Sequence, residues 1–286
     1  MRFLFVDRIT SIAGDRITGQ RRFPVAEPLR YASAHGGEQV APGVVSEAVG
    51  QLASWLALQR NDFTGRPVFL FADRIAVHGP VRPGDEVELA AELTQCDAES
   101  LRFSGTASVR GEVVISVRDC SGYFMPLGEL EDPTVTRARF AALSGDGLVL
   151  LGHEGEPYDF TPLAGVTTAR ERGVAVTTRT TLAAGEPFYA DHFPRFPVTP
   201  IVILNEMIGF ATARLFGDET MARLAVRATE DVKIRAFVRP GDVCETRVQV
   251  TATSEAGDAR RITTTAEILR DGRRILRGAY DYDFLG

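Results

Sequence analysis

The sequence predicts an α+β fold made of two copies of one unit, each an antiparallel sheet wrapped around a single buried helix, the copies packed as a pseudo-dimer. Three observations predict it. The first is an internal repeat: "VRPGDEVELAAEL" starts at Val81 and "VRPGDVCETRVQV" at Val238, 157 residues on. Glu27-Pro28 recurs as Glu186-Pro187, and Glu47 recurs as Glu206, both at an offset of 159. The second is a pair of segments, "PGVVSEAVGQLASWLAL" and "PIVILNEMIGFATARLF", apolar almost all round and therefore buried helices. The third is alternating, β-branched sequence after each helix, as in "GEVVISVRDCSGYF" and "RRITTTAEILRDGRRILRGAYDYDF".

Each unit has the same order. A strand-like opening such as "FLFVDRI" leads into the Glu-Pro loop, then the helix, then strands introduced by an Arg-Pro-Gly-Asp turn. Residues 1–127 form the first unit and 158–286 the second, and the polar, glycine-rich stretch 128–157 with "GELEDP" and "SGDG" reads as the connection. Joining the sheets edge to edge, with the helices side by side, removes exposed strand edges that would otherwise invite aggregation.

Composition narrows the function. With 286 residues, 44% apolar and 24% charged, the chain can bury a sizeable core. A net charge of −6 and scattered arginines give no electrostatic footprint for nucleic acid. The start, "MRFLFVDRIT", reads as neither a signal peptide nor a membrane span, and three widely spaced cysteines (Cys96, Cys120, Cys244) suggest a reduced, cytoplasmic setting. Nucleotide-loop, serine-hydrolase and zinc-protease motifs are missing, and His78 and His153 have no motif around them.

The chemistry concentrates on the two helices and on the segments that enter them. Glu47 and Glu206 each sit on a helix built for burial. Desolvation raises the pKa of such a carboxyl, as a general acid near neutral pH requires. An ion pair with an arginine at the helix end is the plainer alternative. "DHFPRFPVTP" places His192 among Pro194, Pro197 and Pro200, which leave the loop few conformations, although a lone surface histidine would fit there too. Pro42-Gly43 opens the first helix, where free N–H groups could stabilise a polarised carbonyl and glycine admits close approach. The matching position in the second copy is read as Ile201.

"HFPRFPVTPIVILNE" resembles the signature of the hotdog-fold 3-hydroxyacyl-ACP dehydratases, H-F-P-G-x-P-x-x-P-G-V-x-x-x-E, and meets its spacing of fourteen between His192 and Glu206 without gaps. Arg195 and Ile201 stand where that family has glycine. The first copy resembles the same segment through Pro42-Gly43 and the E-x-x-x-Q of Glu47 and Gln51, with its glycine-to-glutamate spacing one residue shorter and no H-F-P. The resemblance implies a double hotdog whose sites lie between the two copies. His192 would take a proton from C2, Glu47 would protonate the departing C3 hydroxyl, Gln51 would hold that carboxyl, and the Gly43 N–H would polarise the thioester carbonyl. Pro197 would shape the substrate loop. A second composite site would pair Glu206 with a first-copy loop carrying Ser33 or His35.

The implied reaction is loss of water from a 3-hydroxyacyl thioester, on acyl carrier protein or coenzyme A, to give a trans-2-enoyl thioester in fatty acid or polyketide biosynthesis. It needs no metal or redox cofactor. Its partner would be an acyl carrier protein, with Arg195 offered to the phosphopantetheine phosphate, and association of whole chains as a homo-oligomer stays open. Two rivals remain: an acyl thioesterase, and a non-catalytic acyl-binding or scaffold subunit.

Overall fold

The computed structural model describes residues 3–34, 36–149, 155–217, 221–257 and 259–285. The first half runs through β1 (Arg8–Ala13), β2 (Arg16–Arg22), the hairpin β3 (Arg30–Ala32) and β4 (Glu38–Val40), helix α1 (Pro42–Arg60), β5 (Gly65–Val77), β6 (Glu86–Cys96), β7 (Ser100–Val109) and β8 (Glu112–Pro126). Helices α2 (Leu127–Leu130) and α3 (Pro133–Leu143) lead out of it. The second half comprises β9 (Val166–Glu171), β10 (Ala175–Thr181), α4 (Ile201–Leu215), β11 (Leu224–Ile234), β12 (Val243–Ala256), β13 (Ala259–Arg270) and β14 (Arg273–Leu285).

One twelve-stranded sheet contains both halves, in the order β1-β2-β6-β7-β8-β5-β11-β14-β13-β12-β10-β9. Read outward from its middle, each half repeats the same sequence of strands. The joint is the antiparallel pair β5–β11, in register from Ala76↔Ala228 to Phe71↔Lys233 and tied by the Arg74–Glu230 ion pair. This is the expected double hotdog, with sheets joined edge to edge.

The repeated turns show why both halves fold alike. In each Arg-Pro-Gly-Asp turn the aspartate closes the loop on its own backbone: Asp85 accepts from the Arg82 N–H at 2.7 Å and Asp242 from the Arg239 N–H at 2.8 Å. Gly84 (φ 94°) and Gly241 (φ 86°) take the left-handed conformation these turns demand. β6 and β12 start directly after them.

Helices α1 and α4 have no polar face. Ala48, Val49, Leu52, Ala53 and Leu56 of α1 are 0–1% exposed, as are Met207, Ile208 and Ala211 of α4. Each helix packs into the curve of its own half, α1 on β6, β5 and β7, and α4 on β12 and β10. The helices also touch each other. None among the described residues is long and apolar enough to cross a membrane.

The first part of the connection, through Leu143, is helical. Asp132 caps α3 by accepting from the Thr134 and Val135 N–H groups, with Pro133 at the first helical position. Phe140 of α3 then packs on Phe63 (ring centroids 5.4 Å) and Trp55 (6.1 Å).

Candidate functional site

A short turn (Pro187–Ala190) delivers the proline-rich loop, whose His192 N–H donates to the Phe188 carbonyl at 2.9 Å. Phe193 adopts φ 61°, which aims its ring into a small cluster with Val68 of β5, Leu130 of α2 and Val198. The loop's stiffness thus lies at Phe193 and in its packing, and no peptide bond of the described residues is cis. Arg195 has a side chain that is 49% exposed and is engaged within the protein. Its backbone N–H donates to the Leu130 carbonyl, and its guanidinium donates to the Gly128 carbonyl and to Asp132, each at 2.9 Å. Loop and connection are therefore fastened together.

His192 lines a cavity of about 80 Å³ at the joint between the halves, together with Glu47 and Gln51 of α1. Its Nδ1 lies 2.9 Å from the Val198 carbonyl oxygen. A carbonyl only accepts, so Nδ1 carries the proton and Nε2 presents its lone pair to the cavity. Burial pushes the imidazole down to about 4, with the Arg66 cation helping and the Val198 bond opposing, so the ring is neutral at pH 7. Phe3 braces it edge-on at 5.5 Å and donates its N–H to Asp191 at 2.9 Å.

Glu47 is the complementary group. Burial pushes its carboxyl up to about 7, against the lowering effects of Gln51 and Arg66. Gln51 cannot flip: its Oε1 accepts from the Phe5 N–H at 2.8 Å, so its Nε2 must donate to Glu47 Oε1 at 3.0 Å and to the Phe3 carbonyl at 3.3 Å. That leaves Glu47 Oε2 as the oxygen able to carry a proton.

Gly43 falls elsewhere. It does not line this cavity but a second one, of about 40 Å³, with Glu206. Glu47 is the sixth residue of α1 and Glu206 the sixth of α4, so the helix starts align Pro42 with Ile201 and Gly43 with Val202. Pro42, five residues before Glu47, thus occupies the signature's glycine position, and Gly43 lies one place past it. A Cβ on Gly43 would meet Val202 Cβ at 3.2 Å, so the glycine lets the two helices approach. Gly43→Ala should accordingly cost about 1 kcal/mol, the low end of overpacking penalties, as a lowered urea midpoint. An unchanged midpoint would contradict that role. Ile201, at the start of α4, lines the His192 cavity instead.

Pro197 shapes the loop without lining the cavity, whereas its neighbours Val198 and Thr199 do line it. Glu206 is 7% exposed, its Oε2 has no hydrogen-bond partner, and burial alone pushes its carboxyl up to about 8. His35, proposed as its partner, lies outside the described residues, as does His153. Sequence reasoning missed Arg66, which pairs with Glu131, stacks on Phe193 at 5.5 Å and lines the His192 cavity. No motif announces it, since its place follows from strand register.

Comparison with known proteins places the chain in a family. The ApeI-like dehydratase family (ApeI dehydratase) matches residues 168–266. A 3-hydroxyacyl-[acyl-carrier-protein] dehydratase FabZ of Syntrophobacter fumaroxidans is 32% identical over 115 residues, 39% of this chain and 78% of the relative. The FabZ of Geobacter metallireducens is 34% identical over 116 residues, 39% and 77% of the two chains. Among solved structures, an acyl-ACP thioesterase from Bacteroides thetaiotaomicron superposes with a TM-score of 0.55 at 12% identity, covering 94% of this chain and 98% of its own. The dehydratase domain of PpsC from Mycobacterium tuberculosis, in complex with C12:1-CoA, gives 0.51 at 12% identity, covering 98% of each chain. At such identities both speak for the fold alone. Fold, family match and the identity to the FabZ enzymes agree: the chain belongs to the hotdog-fold 3-hydroxyacyl-[acyl-carrier-protein] dehydratase family.

Proposed function

We propose that the chain removes water from a 3-hydroxyacyl thioester carried on an acyl carrier protein, through one composite site between its halves. The observation that carries this reading is the meeting, in one cavity, of a neutral His192 from the second half and a readily protonated Glu47 from the first. His192 Nε2 takes the C2 proton, and the Glu47 carboxyl gives its proton to the C3 hydroxyl, which leaves as water as the C2–C3 double bond forms. Solvent exchange then returns the proton from His192 to Glu47. The free N–H at the start of α4, that of Ile201, takes the role of polarising the thioester carbonyl that sequence had given to Gly43. Gln51 keeps Glu47 oriented. Residues 1–127 and 158–286 would then be two copies of one ancestral unit, each supplying half of the site.

Mass spectrometry of 3-hydroxyacyl-ACP incubated with the protein tests this. An enoyl product supports it. Free acid would favour a thioesterase, and tight binding without turnover a non-catalytic subunit.

The pH profile is a second check. Base catalysis requires unprotonated His192, which is lost below pH about 4, and acid catalysis requires protonated Glu47, which is lost above about 7. kcat/KM should form a bell between those limbs. Activity still climbing at pH 9 would exclude Glu47 as the acid.

A further inference from the structure

The His192 cavity is the first of three that follow one another along the β5–β11 joint. On β5 the walls advance from Arg66–Leu70 in the first, through Phe69 to Ile75 in the second, to Ile75 and Val77 in the third. On β11 they run from Ile234 in the first, through Val232 and Thr229 in the second, to Val226 in the third. Neighbouring cavities share walls: Glu47 and Ile201 between the first two, Ser46, Asn205 and Thr229 between the last two. From Leu70 to Val77 the strand advances about 23 Å, a length suited to a long acyl chain.

The middle chamber, of about 70 Å³, is walled by apolar groups such as Phe71, Phe103, Val117 and Val232. The far chamber differs. Glu206 is buried in it with Oε2 unpartnered, and Thr229 Oγ1, buried where the two chambers meet, is unpartnered as well. The position four residues after Glu206, where Glu47 has Gln51, is Phe210. The amide that would hold a catalytic carboxyl is thus missing, and among the described residues no histidine lines this chamber. Ser46, Asn205, Tyr280 and Tyr282 also line this chamber, and the Tyr280 hydroxyl donates to Asn205 at 3.0 Å, whereas Glu206 Oε2 and Thr229 Oγ1 remain without partners.

We infer that the far chamber receives the distal end of the acyl chain and selects chains bearing a neutral oxygen there, as a hydroxyl or a carbonyl. A neutral Glu206 carboxyl both donates and accepts, and the Thr229 hydroxyl does the same, so a chain hydroxyl or carbonyl satisfies atoms that a methyl end leaves bare. A carboxylate or ammonium at the chain end would have to be buried as a charge, which opposes binding. The inference rests on the proposed dehydratase reading, because that reading seats the thioester end in the first cavity.

Three substrates test it: 3-hydroxybutyryl-ACP, too short to reach the chamber, and two long 3-hydroxyacyl-ACPs of equal length, one ending in methyl and one hydroxylated near its end. The native protein should prefer the hydroxylated chain by about tenfold in kcat/KM, one well-made hydrogen bond's worth. Glu206→Leu with Thr229→Val should reverse that preference, and Glu206→Gln should restore part of it. Equal rates on both long chains in the native protein, or equal losses on both in the double variant, overturn the inference. Equilibrium binding of the same two long thioesters separates its fate from that of the proposed reaction. Preferential binding without turnover keeps the receptor and removes the dehydratase, whereas turnover without preference does the opposite.

Discussion

Glu47→Gln is expected to lower turnover of a 3-hydroxyacyl thioester by about 10²–10⁴, the usual worth of a positioned acid. The substitution keeps size and shape, and Gln51 Nε2, held by the Phe5 N–H, would still find an oxygen to donate to at position 47. What disappears is the proton on the free oxygen. His192→Ala should cost at least as much, since it removes the proposed base, whose tautomer the Val198 carbonyl sets. The double variant should be little worse than either, because acid and base act on one transition state. Single-turnover kinetics on enzymes with unchanged near-ultraviolet dichroism would decide. A Glu47→Gln enzyme within a few-fold of native would mean that another group delivers the proton.

Arg21→Ala should destabilise the fold by about 3–5 kcal/mol, the cost of removing one partner of a buried ion pair. Arg21, Asp7 and Glu27 are 1%, 0% and 1% exposed, and the guanidinium reaches Asp7 at 2.9 Å and Glu27 at 3.3 Å. Each carboxylate is also held by backbone: Asp7 by the Arg22 N–H at 2.7 Å, Glu27 by the Leu29 N–H at 3.1 Å. The cation lies over the rings of Phe23 (4.9 Å) and Phe5 (5.7 Å). Without it, two carboxylates are left in a dry, apolar place. Lysine should rescue little, since its single nitrogen cannot reproduce the contacts that Nη1 makes to Asp7 and Nη2 to Glu27. Urea denaturation measures the difference, and a loss below about 1 kcal/mol would show that water enters to replace the guanidinium.

Much of this was legible because duplication writes its own alignment. The offset of Glu27 to Glu186 and of Glu47 to Glu206 places equivalent loops and helices, and the closing of the sheet at β5–β11 follows from strand edges that need partners. Other features were hidden for physical reasons. Gly43 drew attention as a glycine beside a proline, yet its work is helix contact with Val202, which depends on where α1 begins and not on motif spacing. Helix α3 lay within a polar connection, and only Asp132-Pro133 signalled its start. The Glu-Pro marker was visible, but Glu27 turned out to bind a buried arginine, while Glu186 accepts from the Tyr158 hydroxyl at 2.6 Å. The Arg66–Glu131 pair spans 65 residues, and the Asp7–Arg21–Glu27 group forms across turns and strands, so no local motif encodes either.

The aligned helices, with Gln51 after one glutamate and Phe210 after the other, have a consequence for inheritance. In an assembly of two identical subunits every mutation is expressed twice, so the two equivalent sites must evolve together. Fusing both units into one polypeptide breaks that bond. One position can keep its amide under selection for rate while its counterpart drifts to a phenyl ring. On the proposed reading, a lineage carrying this gene can therefore retune which chains it accepts at one end of the molecule without risking the reaction at the other.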